Sequence, residues 1–277
     1  MLQEINRELK GGTRFKNAQE KPRLNKLKCS IVTVVFNGGD SIEDAIRSVL
    51  EQTYDNIEYI IIDGGSTDET LNIIRKHEEH IDYWVSEKDA GIYDAMNKGI
   101  AIATGEVVGF LNSDDMFALP SAVAKIAAVF EDRSIDACYA DLMYVSQDNR
   151  TIVRYWKSSQ FVMGSFGLGW NPPHPTFYVR SRVFKRFGGF DLSIKIASDV
   201  DLMMRYLERY KIRAVYISQA LIRMRVGGVS NKSLKSILRQ NKEVINALKK
   251  NGVRFSLIKF AARKIVNRAW QYVVGHI

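Results

Sequence analysis

The sequence contains few cysteines and prolines and lacks any long apolar segment. Its two cysteines, Cys29 and Cys138, lie far apart and form no paired motif, so neither a disulfide framework nor a cysteine-based zinc site is expected. No uninterrupted apolar run reaches the ~18 residues that a membrane-spanning helix needs, and the N-terminus has no apolar core of a signal peptide. These absences predict a cytoplasmic protein in a reducing compartment.

Nucleotide-binding and hydrolase motifs with strict spacing are missing as well. No GxGxxG follows the first predicted strand, which argues against a dinucleotide site, and the P-loop, GxSxG and HExxH signatures are absent. The chain has 277 residues, of which 46% are hydrophobic and 26% charged, close to the average for a globular protein. A chain of this size buries enough surface to fold without disulfides or a structural metal.

The net charge of +9 is concentrated at the two ends of the chain. Residues 231–277 hold eleven Lys/Arg and one acidic residue, Glu243, and carry +10. Residues 1–28 carry +5, so the stretch 29–230 must carry −6. A basic end suits nucleic acid, an anionic membrane or an anionic substrate, and a solvated helix face is the alternative explanation.

Apolar β-branched runs alternate with segments of helical periodicity in the first half of the chain. The strand patterns cover residues 29–36, 57–62, 81–86 and 106–111. This order predicts an α/β fold with a mainly parallel sheet covered by helices on both faces. The strand ends that form the ligand crevice of such a sheet carry polar loops. These loops are Asn37–Asp40, Asp63–Asp68 and Asn112–Asp115.

The second half of the chain is less regular. Gly164–Gly169 holds three glycines and is predicted to be a mobile loop. A helix is predicted from Ser198 to about Tyr210, followed by two short strands and by a basic helical pattern from Ser230 onward. Further strands are predicted at 135–144, 151–156 and 176–179.

Asp114 and Asp115 stand together directly after a buried strand. Two adjacent carboxylates repel each other unless a cation or solvent compensates for their charge. A divalent cation at this strand end would in turn suit a diphosphate. The alternative is a solvated turn, or a cap for the helix that begins near Pro120.

Five motifs follow one another across residues 29–118: Ser30–Asn37, Ser48–Tyr54, Ile61–Asp68, Asp89–Ile100 and Asn112–Asp115. Looser motifs continue at His174–Tyr178, Gly188–Asp191, Ala197–Leu202 and Gly227–Asn231. In this order and combination the motifs resemble family 2 glycosyltransferases, which have the GT-A fold. The resemblance is nearest to small bacterial enzymes that build surface polysaccharides of the O-antigen, capsule or colanic-acid type.

The resemblance assigns several residues to a nucleoside diphosphate sugar, the glycosyl donor. Thr33, Val35 and Asn37 would line the pocket for the nucleotide base. Asp63 would accept a hydrogen bond from that base, which suits the imide N–H of uracil or thymine. The other residues that the resemblance places at the donor are Asp89, Asp94, Asn97, Asn112, Ser113 and Asp114.

The resemblance also assigns a metal ligand. Asp115 would ligate Mn²⁺ or Mg²⁺ as the last residue of the family's Asp-x-Asp motif. This chain has Ser113-Asp114-Asp115 at the motif, so the number of carboxylates on the metal, one or two, stays open. Asp94 and Asn97 have an alternative role at an exposed position or in helix packing.

Asp199 matches the catalytic base of the family. An inverting sugar transfer needs a carboxylate that removes the proton from the attacking acceptor hydroxyl. Asp199 lies at a predicted helix N-terminus, where the helix dipole favours its ionised form. Two alternatives stay open: Ser198, Asp199 and Asp201 merely cap this helix, or Asp201 is the base.

Three residues of the second half are predicted to contact the acceptor or the diphosphate. His174 is flanked by prolines that restrict its backbone. Trp170 could stack on a sugar ring, and Arg225 could reach the diphosphate. The alternatives are a structural loop histidine, a core tryptophan and, for Arg225 together with Arg223, ordinary charges on a strand surface.

Residues 255–274 show the pattern of a basic amphipathic helix with Trp270 and Tyr272. Such a helix suits the interface of an anionic bilayer. Alternatively, its apolar face packs on the body of the protein or on a second subunit, which would make a homo-oligomer.

The sequence thus predicts a basic N-terminal extension (1–28), a GT-A catalytic domain (29–230) and a basic helical tail (231–277). Within the domain, 29–118 would bind the donor and 119–230 the acceptor. The predicted reaction is inverting transfer of a hexosyl or N-acetylhexosaminyl group from a UDP-sugar to a lipid-linked saccharide or polysaccharide, on the inner face of the cytoplasmic membrane and without nucleic acid.

Two rival functions are considered. A sugar-1-phosphate nucleotidyltransferase would need a glycine-rich basic loop after the first strand, and Asn37–Asp40 has no basic residue. A membrane- or nucleic-acid-binding module would act through residues 231–277 alone.

Overall fold

A computed structural model describes residues 9–16, 26–227, 234–258 and 260. Within these residues, a ten-stranded sheet forms the centre of the protein. Its strands are β1 (Leu9–Gly11), β2 (Cys29–Val35), β3 (Ile57–Asp63), β4 (Tyr83–Ser86), β5 (Val107–Phe110), β6 (Asp115–Phe117), β7 (Ala137–Val145), β8 (Ile152–Trp156), β9 (Tyr178–Arg180) and β10 (Ala214–Arg225). The α-helices are α1 (Ile42–Leu50), α2 (Thr70–Lys76), α3 (Ile92–Ile102), α4 (Ala122–Val129), α5 (Ser181–Phe187), α6 (Ser198–Met204) and α7 (Leu234–Lys250).

The strands lie in the order β1-β4-β3-β2-β5-β9-β7-β10-β6, with β8 paired to β7. The four strands β4, β3, β2 and β5 are parallel, as are β7 and β10. The strand β9 runs antiparallel between β5 and β7 and joins the two halves. The predicted α/β fold with a mostly parallel sheet is therefore confirmed, and the four predicted strands of the first half are present as β2 to β5.

Both faces of the sheet are covered, as the apolar composition of its strands requires. All seven residues of β2 are buried. Val32 and Val34 belong to the core that also contains residues of α3, α6 and α7, whereas Ile31 and Val35 belong to the core under α1 and α4. Because side chains alternate along a strand, one short run of β-branched residues contributes to two cores.

The predicted N-terminal extension contributes an edge strand. Leu9–Gly11 pairs antiparallel with β4, where the sequence suggested a loose segment or a short helix. Arg14 and Lys28 lie 2.6 and 3.4 Å from Oε1 of the buried Glu58 and fix this segment to the sheet. The two short strands predicted before Gly227 are one strand, β10, which is irregular between Ile217 and Ile222.

The described part of the predicted tail packs on the body of the protein. Val244, Ala247 and Leu248 of α7 are buried in the same core as α6. Of the amphipathic helix predicted at 255–274, only residues 255–258 and 260 are described, and the rest lies outside the described residues. Among the helices described, none is long and apolar enough to cross a bilayer.

Candidate active site

Two strand-end loops form one continuous rim at the carboxyl edge of the sheet. Asn37, just past β2, takes a left-handed conformation with φ 50°. Its backbone N–H donates to Ser66 Oγ at 2.7 Å, and its side-chain oxygen accepts from the backbone N–H of Thr67 at 2.9 Å. Gly39 N–H donates to Asp68 Oδ2 at 2.9 Å. These bonds fix the loop after β2 against the loop after β3.

The residues predicted for the base pocket lie at different depths. Thr33 is fully buried, with its hydroxyl 3.1 Å from that of Tyr59. Asp63 is also fully buried, and its carboxylate accepts the hydroxyls of Ser66 and Ser86, each at 2.5 Å. Val35 is buried too, so only Asn37 of the predicted base-pocket residues is exposed.

Phe36 is the aromatic residue that sequence analysis missed at this rim. It is 64% exposed and lies between the buried end of β2 and Asn37. A Cβ placed on Gly64 would lie 3.4 Å from the Phe36 ring and 2.6 Å from Asp89 Oδ2. The ring, Gly64 and Asp89 are therefore neighbours, and an exposed ring beside a side-chain-free position offers a flat surface on which a planar group can stack.

Asp114, which is half-buried, and Asp115, which is fully buried, form an acidic pair after β5. Asp115 is fully buried at the start of β6, where Oδ2 accepts from Asn112 Nδ2 at 2.9 Å and Oδ1 has no hydrogen-bond partner among the described residues. Burial, together with the neighbouring Asp114, raises the pKa of Asp115 well above its usual range. Burial also raises the pKa of Asp114. An unpartnered carboxylate oxygen beside a second carboxylate fits a divalent cation.

The acidic pair would share such a cation with a ligand. The described residues contain no group of three or more His, Cys, Asp or Glu side chains arranged to hold a metal by themselves. The remaining coordination positions would therefore need oxygens from water or from a substrate, as is usual for Mg²⁺ with phosphates.

Arg225 lies close enough to the acidic pair for its charge to offset a small part of the rise that burial causes in the pKa of both carboxylates. Its guanidinium forms an ion pair with Asp44 of α1 and donates through Nε to the carbonyl of Gln147 at 3.1 Å. Nη1 is buried without a partner among the described residues. Arg225 thus anchors the end of β10 and keeps one N–H group uncommitted.

Asp199 lies in the first turn of α6, in a cluster of aromatic rings. The Tyr93 hydroxyl is 3.1 Å from Asp199 Oδ1 and 2.7 Å from the carbonyl oxygen of Ile196. The Phe190 ring stacks on Tyr93 with 5.4 Å between centroids and contacts the His174 ring at 5.5 Å. Burial lowers the pKa of His174, so this ring is neutral at physiological pH.

Ser198 and Asp201, the neighbours of Asp199 on α6, both make contacts within the fold. No side chain caps α6 at its N-cap position, and Ser198 Oγ donates instead to the carbonyl of Asp191 at 2.9 Å. Asp201 is fully buried and accepts from Asn251 Nδ2 at 3.0 Å, which is a structural contact at the end of α7.

A carboxylate from α7 holds the segment that leads into α6. Glu243 Oε2 accepts the backbone N–H groups of Ile196 and Ala197 at 2.8 and 3.0 Å. Arg239, one turn earlier, donates to Glu243 Oε1 at 3.2 Å. Glu243, the one acidic residue of the sequence 231–277, therefore binds the backbone two and three residues before Asp199.

Asp94 and Asn97 occupy packing positions. Asp94 Oδ2 accepts the backbone N–H of Ala90 at 3.0 Å, before the first turn of α3. Asn97 donates to the carbonyl of Phe190 at 3.0 Å and accepts its N–H at 2.8 Å. Asn97 therefore fixes the Phe190 segment against α3, which is the helix-packing alternative that the sequence left open.

Trp170 lies at the edge of the core. Its ring is partly buried, contacts Tyr139, Phe161 and Phe166 at 5.3–5.8 Å, and donates from Nε1 to Ser159 Oγ at 3.0 Å. This position agrees with the core alternative for Trp170.

Comparison with known proteins identifies the family. The model of glycosyl transferase family 2 matches residues 30–190 of the chain. An uncharacterized glycosyltransferase of Mycobacterium tuberculosis is 34% identical over 179 residues, which are 64% of this chain and 67% of the relative. The PGL/p-HBAD biosynthesis glycosyltransferase of Mycobacterium bovis is 28% identical over 207 residues, which are 73% of this chain and 78% of the relative.

Solved structures share the fold at low sequence identity. TarS 1–349 of S. aureus in complex with UDP matches with a TM-score of 0.63 and 21% identity, over 86% of this chain and 68% of that chain. The mannosyltransferase PcManGT from Pyrobaculum calidifontis, in complex with GDP-Man and Mn²⁺, matches with a TM-score of 0.57 and 16% identity, over 91% of this chain and 86% of that chain. Taken with the family match and the strand-end site, these similarities show that the chain belongs to glycosyl transferase family 2, has the GT-A fold and is a glycosyltransferase.

Proposed function

We propose that the protein is an inverting, metal-assisted transferase of bacterial cell-surface glycan synthesis. It moves a hexosyl or N-acetylhexosaminyl group from a UDP-sugar to a lipid-linked saccharide or polysaccharide. The observation that carries the proposal is the acidic pair with its buried Asp115 Oδ1, which has no hydrogen-bond partner among the described residues, on the same sheet edge as the exposed Phe36. Support for the pathway and donor comes from the relative in PGL/p-HBAD biosynthesis and from the complexes of TarS with UDP and UDP-GlcNAc.

The proposed donor site lies at the rim formed by the loops after β2 and β3. Phe36 stacks on the base, and Asp63 and Asn37 set the shape of the pocket around it. Asp115, with or without Asp114, would hold Mn²⁺ or Mg²⁺, which when bound would supply positive charge to the departing diphosphate. Arg225 Nη1, buried and unpartnered among the described residues, adds a further positive donor near that diphosphate.

The proposed treatment of the acceptor depends on Asp199 as the base. Tyr93 faces Oδ1, and Oδ2 has no hydrogen bond to the described residues, so Oδ2 is the atom that takes the acceptor proton. The acceptor oxygen bonds to the anomeric carbon as the bond to the diphosphate breaks, and the proton passes to Asp199. The neutral His174 closes this side of the site without adding charge.

A donor screen tests the function. The purified full chain is incubated with Mn²⁺ and UDP-, GDP- or dTDP-sugars, and release of the nucleoside diphosphate is measured. We expect release of UDP from a UDP-sugar. Release of GDP or dTDP alone would refute the UDP assignment, and release of pyrophosphate from a nucleoside triphosphate and a sugar 1-phosphate would favour the nucleotidyltransferase.

Changing Phe36 to alanine is expected to weaken UDP binding about tenfold, because stacking of a base on an aromatic ring contributes roughly 1–3 kcal/mol. Isothermal titration calorimetry with Mn²⁺ measures the affinity. The matched variant Phe36→Tyr keeps the ring and should bind UDP like the wild type. Equal affinities of Phe36→Ala and the wild type would remove Phe36 from the base pocket.

Changing Glu243 to alanine is expected to lower kcat roughly ten- to a hundredfold with little change in donor affinity. The two N–H groups before α6 lose their acceptor, and a small displacement of Asp199 suffices for such a loss. Glu243→Gln keeps an oxygen acceptor and should recover most of the activity. Steady-state kinetics and UDP calorimetry together separate the two effects.

The control is Lys250→Ala, which removes the 2.6 Å ion pair between α7 and the Asp191 side chain but leaves both backbone hydrogen bonds to Glu243 in place. If this variant loses kcat as much as Glu243→Ala does, then Glu243 supports the fold in general and does not position Asp199.

The location that we propose is the inner face of the cytoplasmic membrane, with residues 255–274 in contact with anionic lipid. Leu257 and Ile258, at the start of that stretch, are 59% and 83% exposed. A lipid-linked acceptor would be reached from such a position. Self-association into a homo-oligomer through the same surface is the alternative.

A further inference from the structure

The loop before Trp170 displays large apolar side chains to solvent. Val162, Met163 and Leu168 are 66%, 53% and 37% exposed. Phe166, between them, is buried in the core and anchors the loop. Single exposed apolar residues are common on protein surfaces, whereas exposed apolar residues that cluster mark interaction sites.

The backbone of this loop is held by a buried carboxylate. Glu208 lies in the π-helical segment Arg205–Arg209 that continues α6. Its carboxylate oxygens accept the N–H of Gly164 at 2.9 and 3.0 Å, and Oε1 also accepts the N–H of Phe166 at 3.4 Å. These hydrogen bonds to Glu208 argue against the mobility predicted for Gly164–Gly169. The exposed side chains are thus presented by a fixed backbone, which lowers the entropy lost when they are covered.

A second apolar segment lies directly beside the loop. Gly167 packs so closely on the backbone of Arg254 that a Cβ there would collide with the Arg254 carbonyl oxygen. Leu257 and Ile258 follow three and four residues later and are exposed. The two segments meet at Gly167 and Arg254, and their exposed apolar residues are here called the docking patch: Val162, Met163, Leu168, Leu257 and Ile258.

The two segments that carry the docking patch are basic in sequence, and the carboxylates that contact them include the buried Glu208 and also Asp191, which is paired with Lys250. Neither of the stretches 157–171 and 249–260 contains an acidic residue, and together they hold the cations Lys157, Lys249, Lys250, Arg254 and Lys259. The body of the chain, 29–230, is by contrast acidic overall. Apolar side chains surrounded by cations match the acyl and headgroup layers of an anionic bilayer.

We propose that the docking patch binds the surface of an anionic membrane, with the loop at 162–168 inserted beside the start of the tail. This inference rests on the peripheral location proposed above and adds a second anchor outside the tail. It also gives an orientation, because Trp170 and the acceptor half of the domain then face the bilayer from which a lipid-linked acceptor would come.

The test measures sedimentation of the full chain with vesicles of phosphatidylcholine containing phosphatidylglycerol, and with vesicles of phosphatidylcholine alone. The double variant Val162→Asp, Met163→Asp is expected to bind the anionic vesicles at least about tenfold more weakly than the wild type, since each buried side chain contributes on the order of tenfold. Leu50→Asp, at a 40% exposed leucine on α1, is the matched control and should bind normally. UDP affinity confirms that each variant is folded.

The outcomes separate the two levels of the proposal. If the wild type binds no vesicles, the peripheral location is wrong. If the wild type binds and the double variant binds equally well, the tail suffices and the loop is not an anchor. If sedimentation velocity shows that the wild type is a dimer and the double variant a monomer, the docking patch is an interface between copies of the chain and the lipid assignment is overturned.

Discussion

Asp199→Asn is expected to abolish sugar transfer while leaving UDP binding unchanged. The amide has nearly the shape of the carboxylate and can keep the contact with Tyr93, but it cannot take the acceptor proton. Loss of a general base lowers rates by roughly 10²–10⁴-fold. Because Asp199 lies on α6 and the acidic pair follows β5, the change should not reach the donor. Initial rates of transfer and calorimetry with UDP and Mn²⁺ measure the two effects separately.

Asp201→Asn is the matched control for this experiment. Asp201 is two residues along the same helix, fully buried and bonded to Asn251, so its change should affect stability and leave kcat near that of the wild type. Turnover at the wild-type rate in Asp199→Asn would exclude Asp199 as the base. Loss of transfer in Asp201→Asn alone, with normal thermal stability, would transfer the role to Asp201.

The second large effect is expected at Asp115. Asp115→Asn should weaken the Mn²⁺-dependent part of UDP binding at least about tenfold, because the variant lacks a charged oxygen for the cation. The same change should raise the melting temperature in metal-free buffer. Burial raises the pKa of Asp115, so its ionised form opposes folding, and a neutral amide of equal size removes that opposition. Opposite signs in affinity and stability are the signature of a metal ligand.

Asp114→Asn completes this experiment and determines how many carboxylates contact the cation. If Asp114 also ligates, its change lowers the Mn²⁺-dependent affinity as much as the change at Asp115 does. If it does not, affinity falls only slightly, and one carboxylate is sufficient. Unchanged affinity in both variants would show that the acidic pair holds no cation.

The parallel half of the sheet could be predicted because its signals are local. The strand predicted at 29–36 is observed at Cys29–Val35, since a run of buried β-branched residues needs no information from elsewhere in the chain. The antiparallel insertion of β9 between β5 and β7 could not be predicted, because pairing between distant strands leaves no mark in the periodicity of a three-residue segment. The pairing of Leu9–Gly11 with β4 was missed for the same reason.

The site was predictable where residue types reveal their chemistry and not where tertiary contacts decide it. Asp114 and Asp115 were singled out because two adjacent acids after a buried strand are costly without a partner, whereas the metal-ligand role of Asp115 was implied by the family resemblance and stays a prediction. Phe36 was treated as part of a strand, and only the structure shows that its ring leaves the core. Asn97 looked like a polar ligand residue, yet both of its amide atoms are used by the backbone of Phe190. The role of Glu243 was not predicted, because a single acidic residue in a strongly basic segment gives no sign of the contact that it makes.

The contact of Glu243 with Ile196 and Ala197 bears on the order in which parts of the chain fold during synthesis. The loops after β2, β3 and β5 leave the ribosome long before α7 does, and domains begin to fold as they emerge. A nascent chain can therefore assemble its rim and acidic pair while the segment before α6 still lacks its two hydrogen bonds. The two hydrogen bonds that hold the segment before Asp199 can therefore form only after α7 has been made.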